Sequence, residues 1–244
     1  MRLRRLYFPQ LNESLQSYTL DSKQPEFHYL INVLRLKAGQ ILQLFSGTGL
    51  VAQAKIEQVA KKSVEIAVDS FEQFEKPGIE FHLFLGISKG DRMDYALQKS
   101  TELGVTRITP LWTERGDVRL KPDRLEKKMS HWQGVITSAC EQSYQNFCPE
   151  LLEPQTLEEL SLDFNDDHLG FMCDASGVPF KDYQSLQPKS VSFMVGPEGG
   201  WSQEELESIQ QTSIKPLKMG PRILRTETAP VVLLSLAQNA WGDF

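Results

Sequence analysis

The first seventy residues alternate apolar and polar positions in short runs that glycine interrupts. This pattern predicts strands at 3–8, 41–45, 50–59 and 63–71, because alternation with period two turns one face of a strand toward the core. Segment 25–36 differs, since its apolar residues recur at helical spacing. The apolar residues expected in the core of the strands are Ile56, Val59, Val64, Ile66 and Val68. Short strands around one helix predict a compact, barrel-like β module.

A Glu-Lys-Pro-Gly segment at 75–78 separates the β-rich amino-terminal residues from a region in which predicted strands and helices alternate. We therefore predict a domain at 1–72, a linker at 73–78 and a second domain at 79–244. In the second domain strands are predicted at 79–88, 105–112, 169–173, 191–195 and 217–219, and helices at 91–103, 122–142, 202–211 and 228–241. Strands that alternate with helices are typical of a parallel sheet. The predicted fold class is α/β.

Two loops of the second domain combine glycine with polar side chains directly after an apolar strand. The first covers 195–202 (VGPEGGWS) and the second covers 219–229 (MGPRILRTETA). Loops at the carboxyl ends of parallel strands meet at one edge of a sheet, where open α/β proteins bind ligands. Arg222 and Arg225 are three residues apart, which suits a phosphate or a carboxylate. Neither a P-loop nor a Rossmann glycine motif occurs, so the loops predict another kind of ligand site.

The first loop also has a structural interpretation. Ser202 followed by Glu205 fits a capping box, which predicts that a helix begins here. Trp201 precedes this cap and is placed for a hydrophobic contact with the new helix. Neither feature requires Gly196 or Glu198, so these two residues are the better candidates for ligand chemistry.

Charge and composition narrow the possible functions. The net charge of −6 is unevenly spread, because residues 1–72 carry +2 and residues 151–244 carry −8. Any basic face for a polyanion is therefore expected in the first domain. The cysteines (Cys140, Cys148 and Cys173) form no CxxC pair and the four histidines have no metal-ligand spacing, so we expect neither disulfides nor a metal. No signal peptide or membrane span is recognisable, and we expect a cytoplasmic protein.

The ordered motifs of nearly the whole chain resemble those of the SPOUT-class RNA methyltransferases, and within that class the RsmE-like family. The matching segments are 28–35 and 45–47 in the first domain, and 89–94, 98–105, 114–115, 139–142, 196–200 and 220–229 in the second. The resemblance implies a SPOUT-type α/β domain with a carboxy-terminal trefoil knot, preceded by a PUA-like β-barrel. It also implies a homodimer that uses S-adenosyl-L-methionine to methylate N3 of a uridine in small-subunit 16S rRNA.

The resemblance assigns site residues as well. Those implied to bind the cofactor are Gly196, Pro197, Glu198, Gly199, Met219, Gly220, Ile223, Leu224, Thr228 and Ala229. Those implied to bind RNA, either free 16S rRNA or the assembled small subunit, are Arg2, Arg4, Arg35, Lys89, Arg92 and Arg115. Because side chains alternate along a strand, Arg2 and Arg4 are expected on the same face of the first strand. This face is either a phosphate-binding surface or a solvent-exposed edge that the charges protect. Gln145 and Phe147 depart from the family pattern, which usually has arginine at the first position and often a basic residue at the second.

The implied reaction requires particular side chains. Uridine N3 carries a proton at neutral pH, so the reaction needs a base, or cationic groups that stabilise the developing negative charge. Glu198 and Glu227 are the candidate bases, and Arg222 and Arg225 are the candidate stabilising cations. We expect Arg225 to stabilise the charge, while Glu227 has the alternative role of orienting an arginine. No metal is required.

Two other functions stay open on the sequence. One is a SPOUT methyltransferase that acts on a different RNA base. The other is a non-catalytic RNA-binding protein whose pocket keeps the cofactor only for structure. The intact loops at 195–202 and 219–229 favour an active enzyme.

Overall fold

The computed structural model describes residues 3–116, 122–160, 162 and 164–244, and the chain divides into two units. The first unit comprises residues 1–76 together with 140–148, and the second comprises 77–139 and 149–244. The sequence pattern did not indicate that 140–148 packs with the first unit. Arg2 lies outside the described residues.

A five-stranded sheet forms most of the first unit. Its strands are β1 (Arg4–Tyr7), β2 (Ser17–Asp21), β3 (Ile41–Phe45), β4 (Leu50–Val59) and β5 (Ser63–Gln73), in the spatial order β1-β3-β4-β5-β2. β1 and β3 are parallel, whereas the other neighbours are antiparallel. Four of the five expected core residues, Ile56, Val64, Ile66 and Val68, are buried. The fifth prediction was wrong, because Val59 lies at the end of β4, beyond the core, and is 38% exposed.

The helical segment of the first unit is shorter and less regular than its spacing predicts. It consists of α1 (Pro25–His28) followed directly by a π-helical turn, Tyr29–Val33. Its inner face buries Phe27 and Leu30 in the same core as the strands. Arg35 then adopts a left-handed backbone conformation with φ of 55°, which ends the turn.

The buried guanidinium of Arg5 attaches segment 140–148 to β1. It donates hydrogen bonds to the carbonyl oxygens of Cys140 (3.3 Å) and Gln145 (3.2 Å) and to Oδ1 of Asn146 (2.7 Å), and it lies 4.2 Å from the centre of the Phe45 ring. Burial lowers the pKa of Arg5, and the hydrogen-bond acceptors offset the loss of water around its charge.

Glu141 and Phe147 complete the attachment of this segment. The carboxylate of Glu141 accepts hydrogen bonds from the backbone N–H of Tyr7 (3.0 Å) and from the hydroxyl of Tyr29 (2.7 Å), while burial raises its pKa. Phe147 forms a β-bridge with Thr48 and packs so closely that a Cβ on Gly49 would lie 2.5 Å from its ring. The departure from the family pattern at position 147 therefore coincides with a packing role in the first unit.

We expect Arg5→Ala to lower the free energy of unfolding by about 3–5 kcal/mol, because it leaves three acceptors and the Glu141 carboxylate without their buried cation. Urea unfolding measures this change. Arg4→Ala is the matched control, since Arg4 is exposed on the same strand and a surface substitution should change stability by at most about 0.5 kcal/mol. Equal stability of the two variants would contradict the anchoring role of Arg5.

A six-stranded parallel sheet forms the centre of the second unit. Its strands are β6 (Glu80–Gly86), β7 (Arg107–Leu111), β8 (Glu150–Leu151), β9 (His168–Pro179), β10 (Ser190–Val195) and β11 (Lys215–Lys218), in the order β11-β9-β10-β6-β7-β8. The helices are α2 (Asp91–Glu102), α3 (Pro122–Ser143), α4 (Gln203–Gln210) and α5 (Ala229–Trp241). The predicted α/β class is confirmed. The trefoil knot stays a prediction.

His82 in the middle of this sheet makes stability depend on pH. Its Nε2 lies 2.7 Å from Oγ1 of Thr109, and burial, assisted by the charge of Arg107, lowers its pKa to about 3. An unfolded histidine has a pKa of about 6.5, so between these values only the unfolded chain binds the proton.

We therefore expect the free energy of unfolding to fall as the pH decreases below about 6.5, by up to about 1.4 kcal/mol per pH unit from this group. In His82→Gln this contribution is absent, and the stability curve should be flatter between about pH 6 and pH 4. Urea unfolding across that range provides the test. Parallel curves for the variant and the wild type would show that His82 does not titrate on unfolding.

Candidate functional site

The first glycine loop joins β10 to α4 and is fixed by the predicted capping box. The N–H of Glu205 donates to Oγ of Ser202 (3.1 Å), and the N–H of Ser202 donates to Oε2 of Glu205 (2.7 Å). The other oxygen of Glu205 accepts from the N–H of Glu114 (2.9 Å), which ties the loop after β7 to the same helix start. Trp201 and Leu206 pack against one apolar cluster, as expected for a hydrophobic staple. Ser202, Glu205 and Trp201 therefore position the loop.

Two glycines are required where backbones approach closely around this loop. A Cβ on Gly86, at the end of β6, would lie 2.6 Å from the backbone nitrogen of Pro197. A Cβ on Gly199 would lie 2.7 Å from the carbonyl oxygen of Arg115. The loops after β6, β7 and β10 therefore meet at one edge of the sheet, as parallel strands predict.

The second loop joins β11 to α5 and leaves side chains in solvent. The carbonyl oxygen of Arg225 accepts hydrogen bonds from the N–H groups of Thr228 (2.9 Å) and Ala229 (3.0 Å), which forms the turn into α5. Ile223 is 93% exposed, and the side chain of Arg225 is 80% exposed. Ile223 is therefore available to a ligand or a partner molecule at the edge of the polar loop.

Both loops line one cavity of about 590 Å³ in the second unit. Its lining residues are Arg92, Cys173, Val195, Gly196, Pro197, Glu198, Gly200, Trp201, Ile223, Leu224, Arg225, Thr226, Glu227 and Ala229. This volume lies within the range of about 300–1,000 Å³ that small-molecule sites occupy. The expectation that the two glycine-broken loops form a shared ligand site is consistent with this geometry.

The charged residues of the cavity form two unequal pairs. Nη1 of Arg92 donates to Oε1 of Glu198 at 2.9 Å, so this carboxylate is neutralised at close range. Nη1 of Arg225 lies 3.9 Å from Oε1 of Glu227, too far for a hydrogen bond. The Oε2 atom of Glu227 is buried and has no hydrogen-bond partner within the described part of the chain.

The cavity includes part of each set of predicted site residues. Six of the cofactor candidates line it: Gly196, Pro197, Glu198, Ile223, Leu224 and Ala229. Four others, Gly199, Met219, Gly220 and Thr228, are not among the described lining residues, and their cofactor role stays a prediction. Of the catalytic candidates, Glu198, Arg225 and Glu227 line the cavity, whereas Arg222 is exposed outside this lining as described.

The RNA-binding candidates are dispersed over the two units. Arg92 lines the cavity, Arg115 contacts Gly199 through its backbone, and Lys89 is exposed just before α2. Arg4 and Arg35 are exposed on the first unit. The RNA-binding role of each residue stays a prediction.

Five lining residues were not among the individually named candidates, namely Cys173, Val195, Gly200, Trp201 and Thr226. Four of them belong to the two loops predicted as a ligand site, and only Cys173 lies outside those loops. Cys173 had no comparable signal, because it lies inside β9, which runs six residues further than predicted. Burial raises the pKa of the Cys173 thiol to about 12, and it therefore stays neutral at physiological pH.

No group of three or more metal-ligating side chains occurs among the residues that the structure describes. No described helix is both long and apolar enough to cross a membrane.

Two family models match this chain. The family model of the RNA methyltransferase domain matches residues 74–238, and that of the RNA methyltransferase PUA domain matches residues 23–69. Together the two matches define the class, an RNA methyltransferase with a PUA domain.

Individual relatives narrow the class further. Ribosomal RNA small subunit methyltransferase E of Buchnera aphidicola (strain Sg) is 32% identical over 97% of this chain and 95% of its own length, and that of Bacillus subtilis is 32% identical over 86% of each. The enzyme of the same name from Neisseria gonorrhoeae, solved with S-adenosyl methionine, is 32% identical with a TM-score of 0.88 over both full chains. A methyltransferase structure from Legionella pneumophila with bound cofactor SAM is 38% identical, with a TM-score of 0.90 over 100% of both chains. The chain belongs to the family of ribosomal RNA small subunit methyltransferase E, which confirms the predicted resemblance.

Proposed function

We propose that this protein transfers a methyl group from S-adenosylmethionine to N3 of a uridine in small-subunit 16S rRNA. The observation that carries the proposal is the cavity built by both glycine loops in a chain of this family. Two similar structures contain S-adenosylmethionine, and the relatives are named for small-subunit ribosomal RNA.

The residues of the cavity suit this cofactor. Val195, Trp201 and Leu224 offer apolar surface for an adenine ring, while Gly196 and Gly200 leave the backbone accessible. S-adenosylmethionine supplies a methyl group on a positively charged sulfonium, and the protein supplies alignment and a dry site.

Arg225 is placed to act on the substrate base. Its side chain lines the cavity and is 80% exposed, so it can reach a nucleotide that enters from solvent. Loss of the N3 proton puts negative charge on the O2, N3 and O4 atoms of uracil, and a guanidinium beside these atoms stabilises it. Because N3 lies on the Watson–Crick edge, the target uridine is unpaired or flipped out of its helix. Arg222, three residues away and exposed, is the second cation of the same loop.

The homodimer is part of this proposal. Ile223 is nearly fully exposed at the cavity, while Val231 and Leu236 of α5 are partly buried. Leu234 and Ala237 of the same helix do not add to this apolar surface, because both are fully buried within the chain. A partner subunit that covers Ile223 would complete the site.

The proposed location of the protein is the cytoplasm, where ribosomes are assembled.

We expect multi-angle light scattering to give twice the chain mass of 27.8 kDa. Ile223→Asp should shift the protein toward the monomer, because it places a charge in a surface that the partner would bury. Lys218→Asp, a change near the same loop, is the control. A wild-type monomer with full methyltransferase activity would exclude the dimer.

Primer extension on rRNA tests the reaction directly. Small subunits from a strain without this gene are incubated with the enzyme and S-adenosylmethionine, and an N3 methyl group then blocks pairing and stops the polymerase at one uridine. Free 16S rRNA is the parallel substrate. A stop at a different base would indicate another target, and cofactor binding without methylation of either RNA would favour the non-catalytic alternative.

A further inference from the structure

Two carboxylates line the cavity, and only one of them is neutralised at close range. Glu198 accepts a hydrogen bond from Arg92 at 2.9 Å, and this pair lies toward solvent. The side chain of Glu227 is only 15% exposed, and its nearest cation, Arg225, stands 3.9 Å from Oε1. Its Oε2 atom is buried without a partner among the residues described. A buried acceptor without a donor is unfavourable for folding, so its retention in a ligand cavity points to a donor on the ligand.

The other titratable groups around Glu227 do not provide a base. Those that line the same cavity are Arg92, Cys173, Glu198 and Arg225. The two arginines are permanent cations, and the thiol of Cys173 is held in its neutral form by burial. The carboxylate of Glu198 already accepts a hydrogen bond from Arg92 at 2.9 Å, so one of its oxygens is occupied. Among the described residues that line the cavity, Glu227 is the remaining carboxylate, and its Oε2 atom has no hydrogen-bond partner.

We propose that Glu227 is the general base that removes the N3 proton of the target uridine. This assignment rests on the proposed function and chooses between its two candidate carboxylates. The N3–H bond breaks, its electron pair stays on nitrogen, and the proton moves to the carboxylate of Glu227. The N3–CH₃ bond forms as the bond between methyl and sulfur breaks, and that electron pair returns to sulfur to leave a neutral thioether. The partly exposed carboxyl group then releases its proton to water.

The geometry also explains why Arg225 stands near Glu227 without a hydrogen bond. At 3.9 Å the guanidinium does not use the lone pairs that must accept the proton. The same cation remains close enough to stabilise the uracil anion. Glu227 and Arg225 thus place a base and a stabilising cation two residues apart in one loop.

The test compares Glu227→Gln with its matched control Glu198→Gln, and each variant is measured beside the wild type. For Glu227→Gln we expect the single-turnover rate on small subunits at pH 7 to fall by about 10²–10⁴-fold. Its rate should then rise about tenfold per pH unit up to about pH 9, since solvent hydroxide replaces the missing base. Glu198→Gln should keep the pH profile of the wild type, even where its rate is lower. Glu227→Asp should recover part of the rate, because it restores a carboxylate at a longer distance.

Two readouts that need no turnover separate this role from a structural one. Calorimetry should give dissociation constants for S-adenosylmethionine within about twofold for the wild type and Glu227→Gln, because the base contacts uracil. The urea midpoint of Glu227→Gln should equal or exceed that of the wild type, as expected when a mostly buried carboxylate with an oxygen that lacks a hydrogen-bond partner becomes neutral.

The possible outcomes are distinguishable. A large loss of cofactor affinity, a lower urea midpoint, or a pH profile unchanged in Glu227→Gln would overturn the assignment. If only the Glu198→Gln variant regained its single-turnover rate at high pH, Glu198 would be the general base instead. If the wild type itself left no primer-extension stop on 16S rRNA, the proposed function would fail instead, independently of the choice between the two carboxylates.

Discussion

Gly196→Val should abolish measurable binding of S-adenosylmethionine while the protein stays folded. Gly196 lines the cavity, and even a single Cβ at this position would lie 3.0 Å from the ring of Trp201. The two additional methyl groups of valine therefore either enter the cavity or displace Trp201, and both changes remove the space that the ligand needs. We expect the dissociation constant to increase by at least about 100-fold, the equivalent of about 2.7 kcal/mol.

Isothermal titration calorimetry measures this effect, with far-UV circular dichroism to confirm the fold. Gly134→Val is the matched control, because Gly134 is exposed on α3 and nothing lies within 4 Å of its hypothetical Cβ. This control should bind the cofactor like the wild type, although valine is only a moderate helix former. Undiminished binding by a folded Gly196→Val protein would show that the cofactor does not occupy this cavity.

Arg225→Ala should lower the single-turnover rate by about 10²–10³-fold with little change in RNA affinity. The physical reason is that the guanidinium interacts with charge that develops only as N3 loses its proton, so its effect appears in the transition state. Arg225→Lys should retain part of the rate, since it keeps a cation but not the planar geometry. The measurement is methylation of small subunits under saturating enzyme and cofactor.

RNA dissociation constants across a salt series separate this role from simple phosphate binding. Arg35→Ala is the comparison, because Arg35 is exposed on the first unit, far in sequence from the cavity residues. If Arg35 contacts a phosphate, its loss should weaken RNA binding, make the salt dependence shallower and leave the rate at saturation unchanged. The proposed division of roles would be wrong if Arg225→Ala affected only RNA affinity.

Local sequence signals predicted most of the elements around the cavity. The capping box of Ser202 and Glu205 involves residues three positions apart, so the start of α4 is encoded within one turn of chain. Local signals also predicted β6 and β10 from their apolar runs, and the loop after β10 from the glycine and proline residues that end the second run. The resemblance to a known family added the cofactor and the reaction, which periodicity alone does not contain.

Tertiary structure decided the properties that depend on distant segments. Arg4 and Arg5 are adjacent and chemically identical, yet Arg5 is buried because residues 140–146, more than 130 positions away, supply its acceptors. In the same way the sequence did not distinguish Glu198 from Glu227 as candidate bases. The tertiary structure distinguishes them, because Arg92 pairs with Glu198 while Oε2 of Glu227 has no hydrogen-bond partner among the described residues. Cys173 of β9 lines the same cavity as two loops that begin more than twenty residues further along the chain, a proximity that no local sequence window contains.

By itself the sequence determined most of the secondary structure, the parallel α/β class and the two loops that line the cavity, because spacing, capping and glycine placement act over a few residues. The tertiary structure alone decided which of several like side chains are buried, paired or left with an available atom. Burial and partners arise only when segments far apart in the chain come together, and they set the energy and reactivity of a charged group far more than its identity does.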